Sequence, residues 1–261
     1  MDPVIRQRLG SSFERDSQAY ADHRPTYPAA AARWLVGDPA RDVLDLGAGT
    51  GSLTALVVAM GHRVVAAEPG SSMLGALVSR GLGVPVVQSR AESLPFRSAS
   101  FDVVTVATAF HWFDVPRALP QIAAALRPGG RLALAWNTRV ESAGWPGRLG
   151  DLLRAVQPGG LPGDWGTGSV DQVVQSPLFT GVEHADFGFT QRLDRDELTG
   201  LVGSRSYVIC LEPDRRRRLL DDVGQLFDDA VDTGSDSVDT GPTVELPYVT
   251  QCWRFARPCS R

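Results

Sequence analysis

The chain has 261 residues, 43 % of them apolar, and a formal net charge of −4. That length supports one sizeable domain, and the mild acidity argues against nucleic acid or an anionic membrane surface as its main partner. All 26 basic residues are arginine, which excludes a lysine Schiff base or a lysine general base.

Residues 3–20 are polar with sparse apolar positions and predict one or two N-terminal helices. Pro25 and Pro28 bracket a turn, and Ala29 to Val36 reads as a short helix. Arg41 to Leu46 is the first core strand. It runs into Gly47, Gly49 and Gly51 at alternate positions, and Leu53, Leu56, Val57 and Met60 then resume at helical spacing. Strand, glycine turn and helix in that order let backbone N–H groups approach a ligand, because no Cβ intervenes. The helix N-terminus behind them favours negative charge.

Arg63 to Glu68 is a second strand, and Ser71 and Ser72 offer an N-cap for a helix through Arg80. Val84 to Gln88 and Phe101 to Val106 are the third and fourth strands. Val115 to Leu126 is a helix, ended by a turn at Arg127-Pro128-Gly129-Gly130, and Arg131 to Trp136 is the fifth strand. Strands alternating with helices predict a parallel α/β sheet covered on both faces. From 138 to 179 the pattern weakens, with helices at Arg148 to Val156 and Val170 to Gln175. Val182 to Phe189 and Pro247 to Phe255 read as late strands, an antiparallel pair. Asp194 to Val202 and Pro213 to Val231 read as helices, and 233–242 as a loop.

Cys210, Cys252 and Cys259 form no Cys-x-x-Cys pair and no metal-ligand spacing, so we expect reduced thiols and no metal. No signal-peptide apolar region or membrane-length apolar run is visible, which points to a cytoplasmic protein.

The turn does not match the dinucleotide pattern G-x-G-x-x-G, because its third glycine would fall at Ser52. Asp45-x-Gly47-x-Gly49-x-Gly51 instead resembles motif I of class I S-adenosylmethionine-dependent methyltransferases. Glu68 ends the second strand, where a carboxylate can accept from both ribose hydroxyls. Ala91-Glu92-Ser93-Leu94-Pro95-Phe96, with Ser100-Phe101-Asp102, resembles the family's adenine loop and fourth strand. Leu126-Arg127-Pro128-Gly129-Gly130 resembles its turn before strand five. Tyr20 to Pro28 and Ala109-Phe110-His111-Trp112-Phe113-Asp114 are similar to the type 11 group, which includes trans-aconitate and quinone-biosynthesis methyltransferases.

The resemblance implies a Rossmann-like, doubly wound, seven-stranded sheet, mostly parallel with an antiparallel last strand. It implies one methyltransferase domain over 1–261: N-terminal lid helices at 1–40, a cofactor core at 41–137, a lid insertion at 138–180, and completing strands and helices at 181–261. Gly47, Ala48 and Gly49 would line the methionine portion of S-adenosyl-L-methionine, Asp45 would orient its amino group, and Glu68 would hold the ribose. The N–H of Ala91 would face the adenine. Thr108 would lie near the methyl group, and Tyr20 and Arg24 would fold over the cofactor. Many members carry an acid before the Ala-Glu pair; here it is Arg90, so Glu92 either substitutes for it or only caps the loop.

For substrate, Phe110, Trp112, Trp136 and Tyr207 are candidate pocket walls, and Arg205 a candidate for recognising an anion. His111 is the candidate general base, against packing at the strand–helix corner. The arginine run 215–218 is flanked by acids and spreads around a helix, so it forms no nucleic-acid stripe. The expected reaction is methyl transfer to a small organic acceptor at a carboxylate or hydroxyl oxygen. Carbon or nitrogen, or a catalytically silent cofactor-binding protein, are the alternatives. We expect a monomer or homodimer that binds neither nucleic acid nor membrane.

Overall fold

The computed structural model describes residues 23–141, 143–157, 169–232 and 241–259. The helices expected over 3–20, and Tyr20 with them, lie outside the described residues.

Helix α1 (Ala29–Val36) precedes β1 (Asp42–Leu46), α2 (Ser52–Ala59), β2 (Arg63–Ala67) and α3 (Ser71–Ser79). Strand β3 is only Val86–Val87 and is followed by β4 (Phe101–Ala107). A 3₁₀ turn (Phe110–Trp112), α4 (Val115–Ala125) and β5 (Leu126–Arg139) come next. The second half adds α5 (Trp145–Val156), α6 (Val170–Val174), β6 (Thr180–Leu193), α7 (Arg195–Gly203), α8 (Ser206–Ile209), α9 (Pro213–Asp232) and β7 (Val244–Ala256).

The seven strands form one sheet in the order β3-β2-β1-β4-β5-β7-β6. β1 pairs in parallel with β2 and β4, and the parallel pairing continues from β2 to β3 and from β4 to β5. β7 runs against β5. Gly129 N–H donates to Arg257 O at one end of that ladder, and Val140 N–H to Pro247 O at the other. Among the described residues no helix is long and apolar enough to cross a membrane.

The described residues fall into two compact units. One holds 26–138, 169–187 and 250–259, and the other holds 23–25, 139–157 and 188–249. In the first unit the pleat sends alternate side chains to opposite faces. Leu44 and Leu46 join Phe110, Ile122, Leu132, Leu134 and Trp136 in one core. Val43 joins Ala31, Leu35, Val57, Ala133 and Ala135 in the other. This two-faced burial is why the strands read as continuous apolar runs. Each fully buried Leu or Ile contributes about 1.5–3 kcal/mol relative to exposure. Helix α4 presents Val115, Ala118, Leu119, Ile122 and Ala123 at helical spacing, all buried, and this burial offsets the backbone bond lost at Pro120.

Three local expectations change. Ser71 and Ser72 do not cap α3; Gly70 occupies that position, with no side-chain cap. Arg127–Gly130 is not a free turn but an irregular stretch inside β5. It is held because Gly129 N–H and Gly130 O both bond to Arg257, just past the end of β7. A Cβ at Gly130 would stand 2.9 Å from the carbonyl oxygens of Asp102 and Arg127, so glycine is required there. The late strands are also longer than their apolar runs suggest. Helix α7 opens on a full capping box: Asp194 accepts from Glu197 N–H while Glu197 accepts from Asp194 N–H.

Candidate active site

The carboxyl ends of β1, β2 and β4 converge on the glycine turn. Gly47, Gly49 and Gly51 all take left-handed backbone angles, with φ of 69°, 56° and 83°. Gly47 and Ala48 N–H donate to Ala67 O at 2.8 and 3.1 Å, which clips the turn to the end of β2. A Cβ at Gly47 would meet Ala109 Cβ at 2.7 Å, and one at Gly51 would meet Leu77 Cγ at 3.0 Å. A Cβ at Gly49 would meet nothing within 4 Å. The open face of the turn is therefore at Gly49.

Glu68 reaches that face from the end of β2. Its Oε2 accepts from Gly49 N–H at 3.0 Å and its Oε1 from Gly70 N–H at 2.9 Å. Two backbone donors from separate loops fix the carboxylate beside the open space. Asp45 sits deeper, 1 % exposed. Its oxygens accept from Thr54 Oγ1 at 2.5 Å and Thr105 Oγ1 at 2.9 Å, which ties α2 and β4 beneath the turn. Burial pushes its carboxyl above the usual range, and the two hydroxyls oppose that shift.

Ala91 is buried in the core. Glu92 Oε1 accepts from Asp114 N–H at 2.7 Å, just ahead of α4, and Glu92 Oε2 lies 3.7 Å from Arg90 Nε. Of the two expectations for Glu92, loop capping is the one with observed contacts.

Beyond β4, Thr108 holds a left-handed backbone, φ 52°, unusual for a β-branched residue. Its hydroxyl lies 2.9 Å from Tyr27 Oη. His111 lies in the 3₁₀ turn with its ring centroid 4.7 Å from that of Trp112. Its Nδ1 accepts from Trp136 Nε1 at 3.4 Å. Phe110 and Trp136 correct the expected substrate wall. They are 0 % and 1 % exposed and pack on Phe113 and Trp253, so they present core surface and not pocket surface.

Arg24, Arg205 and Tyr207 belong to the second unit. Arg24 Nη2 donates to Ser204 O at 3.2 Å. Arg205 immediately precedes α8, and Tyr207 on that helix is buried. Thr54 and Thr105 belong to the site without having been expected there, and Tyr27 was expected only as part of the Tyr20 to Pro28 segment. Two threonines at apolar-patterned positions beside a buried acid are the signal that marks the first pair.

Comparison with known proteins follows the same lines. Residues 44–134 match the family described as "Methyltransferase domain". An uncharacterized methyltransferase of Mycobacterium tuberculosis is 39 % identical over 95 % of this chain and 97 % of its own. The ubiquinone/menaquinone biosynthesis C-methyltransferase of Vibrio campbellii is 41 % identical over 36 % of this chain and 40 % of its own. The solved structure of a candidate type II methyltransferase from Anaeromyxobacter dehalogenans superposes with a TM-score of 0.67 at 23 % identity. That match covers 91 % of this chain and 99 % of the other.

Proposed function

This chain belongs to the class I S-adenosylmethionine-dependent methyltransferases, and we propose that it methylates a small organic acid at a carboxylate oxygen. The observation that carries the cofactor half of this reading is the meeting of Gly49 N–H and the Glu68 carboxylate at the open face of the glycine turn. That arrangement fits an adenosyl group. Gly47, Gly49 and Gly51 leave no Cβ in the cradle, and an ionised carboxylate suits the two ribose hydroxyls. Gly47, Ala48 and Gly49 would hold the methionine end, Glu68 the ribose and the Ala91 loop the adenine edge. When bound, S-adenosylmethionine supplies an activated methyl group on a sulfonium.

The acceptor half rests on His111. With Nδ1 accepting from Trp136, the neutral imidazole carries its proton on Nε2 and acts there as a donor. A donor orients an acceptor oxygen; it does not deprotonate it. A carboxylate is already ionised near neutral pH and needs no base. What remains for the protein is placement of that oxygen in line with the sulfur–methyl bond. Trp112, beside His111, is the remaining aromatic candidate for substrate contact at this corner. The net charge of −4, with the arginine run flanked by acids, supports a small acceptor over nucleic acid.

A second reading, methylation at carbon, is favoured by the partial likeness to the Vibrio C-methyltransferase. Incubation of the full chain with methyl-labelled S-adenosylmethionine and a metabolite pool, read by mass spectrometry, tests both. A labelled ester supports the carboxylate reading. A label that survives ester hydrolysis excludes the carboxylate, and fragmentation that places it on carbon, not on a hydroxyl oxygen or nitrogen, supports the second reading. No transferred label would leave a cofactor-binding protein without turnover.

A further inference from the structure

Three arginines and two tyrosines of the second unit gather around the junction of β5, β7 and the α7–α8 connection. Arg139 ends β5, and Val140 N–H donates to Pro247 O on β7. The antiparallel ladder therefore sets Arg139 opposite Tyr248. Arg205 acts electrostatically on both Arg139 and Tyr248, and Arg24 on Tyr248. Tyr207 and Tyr248 are 4 % and 3 % exposed, and Tyr248 stacks on Phe189 with ring centroids 5.1 Å apart.

The cluster is charged out of proportion to its acids. Arg139, whose side chain is only 13 % exposed, has Nη2 3.2 Å from Glu141 Oε1. Glu141 is shared, because its other oxygen accepts from Arg154. Burial, and then the neighbouring Arg205, pull the Arg139 guanidinium down to about 10. Among the described residues, Arg139 Nη1, Arg205 Nε and the Tyr248 hydroxyl are buried without a hydrogen-bond partner. Buried guanidinium N–H groups are costly when left unpaired, so such a set is maintained where something else satisfies it. The missing partner must be an acceptor and must bring negative charge. A planar carboxylate matches the guanidinium fork.

We propose that Arg139, Arg205 and Tyr248 form a receiving site for a ligand carboxylate, with Arg24 and Tyr207 at its edge. The inference rests on the reading of the chain as a methyltransferase of small acids, and it assigns carboxylate binding to residues of the second unit.

The test is titration calorimetry on the full chain with succinate, citrate, inorganic phosphate and S-adenosylhomocysteine, none of which requires turnover. Wild type should bind succinate or citrate. Arg205→Ala and Arg139→Gln should each weaken that binding at least tenfold, and Tyr248→Phe severalfold. Tyr248→Phe deletes only a hydroxyl, so it keeps the test decisive if an arginine variant fails to fold. S-adenosylhomocysteine affinity should stay at the wild-type value while carboxylate binding falls. Free carboxylates that never bind the wild type would overturn the proposal. The proposal is overturned if folded variants bind every probe as wild type does, or if phosphate binds and neither carboxylate nor S-adenosylhomocysteine depends on these residues. Carboxylate binding with no methyl transfer to any acid would sink the proposed reaction and leave this site standing.

Discussion

Glu68 Oε2 accepts a hydrogen bond from Gly49 N–H at 3.0 Å, which joins the end of β2 to the glycine turn after β1. The acid is thereby fixed before any ligand arrives, and the order of strands in the sheet brings it there. Glu68→Ala should weaken S-adenosylhomocysteine by about 1–3 kcal/mol, because ribose hydroxyls lose their acceptor. Calorimetry reads this directly, and an unchanged affinity removes Glu68 from the site.

The glycines should separate by mutation. Gly47→Ala meets Ala109 Cβ at 2.7 Å and adds the left-handed penalty. We expect a loss of about 2 kcal/mol or more in urea denaturation. Gly49→Ala meets no atom and should cost only about 1 kcal/mol of stability, while interfering with the cofactor. Equal stability losses at the two positions would contradict the geometry of the turn.

His111→Gln tests whether the imidazole is a base. Removing a general base costs about 10²–10⁴ in rate. A residue that donates to an already ionised oxygen should cost far less, on the order of tenfold, with cofactor affinity unchanged. A loss in the general-base range, rescued by raising the pH, would overturn the carboxylate reading.

The acid side of the stability curve has a named source. Asp42 lies below the usual carboxylate range because Arg63 and then Arg127 bond to it, against the opposing effect of burial. At Asp102 burial acts upward but is outweighed by Asp42 N–H and Arg127. Folded values below the unfolded ones mean stability present above the unfolded carboxylate pKa of about 4, lost as pH falls through the folded value. The groups are partly solvated, so Asp102→Asn should cost about 1 kcal/mol or less at pH 7. The difference from wild type should disappear in acid. A constant difference across pH would remove the ion pairs as its cause.

Much of this was legible in the chain because parallel strands buried on both faces write themselves as apolar runs, and the glycine turn has a spacing that few other structures need. Glu68 was found because it ends such a run. What escaped depends on register between distant segments. Nothing in the residues around Arg139 or Tyr248 says that they face each other; that follows from how β7 pairs with β5. Phe110 and Trp136 misled for a related reason. An aromatic beside a candidate catalytic residue reads the same whether it lines a pocket or fills the core, and only burial decides. Arg127–Gly130 carries a turn's composition, yet its backbone groups find a partner in Arg257, just past β7, and the stretch stays in the sheet.

The central claim is that the glycine turn and Glu68 hold S-adenosylmethionine. Titration calorimetry of the full chain with S-adenosylhomocysteine and, separately, with NADH tests it most directly. The account predicts saturable one-to-one binding of S-adenosylhomocysteine, weakened by Glu68→Ala, and no binding of NADH. Binding of NADH with no binding of S-adenosylhomocysteine would contradict it.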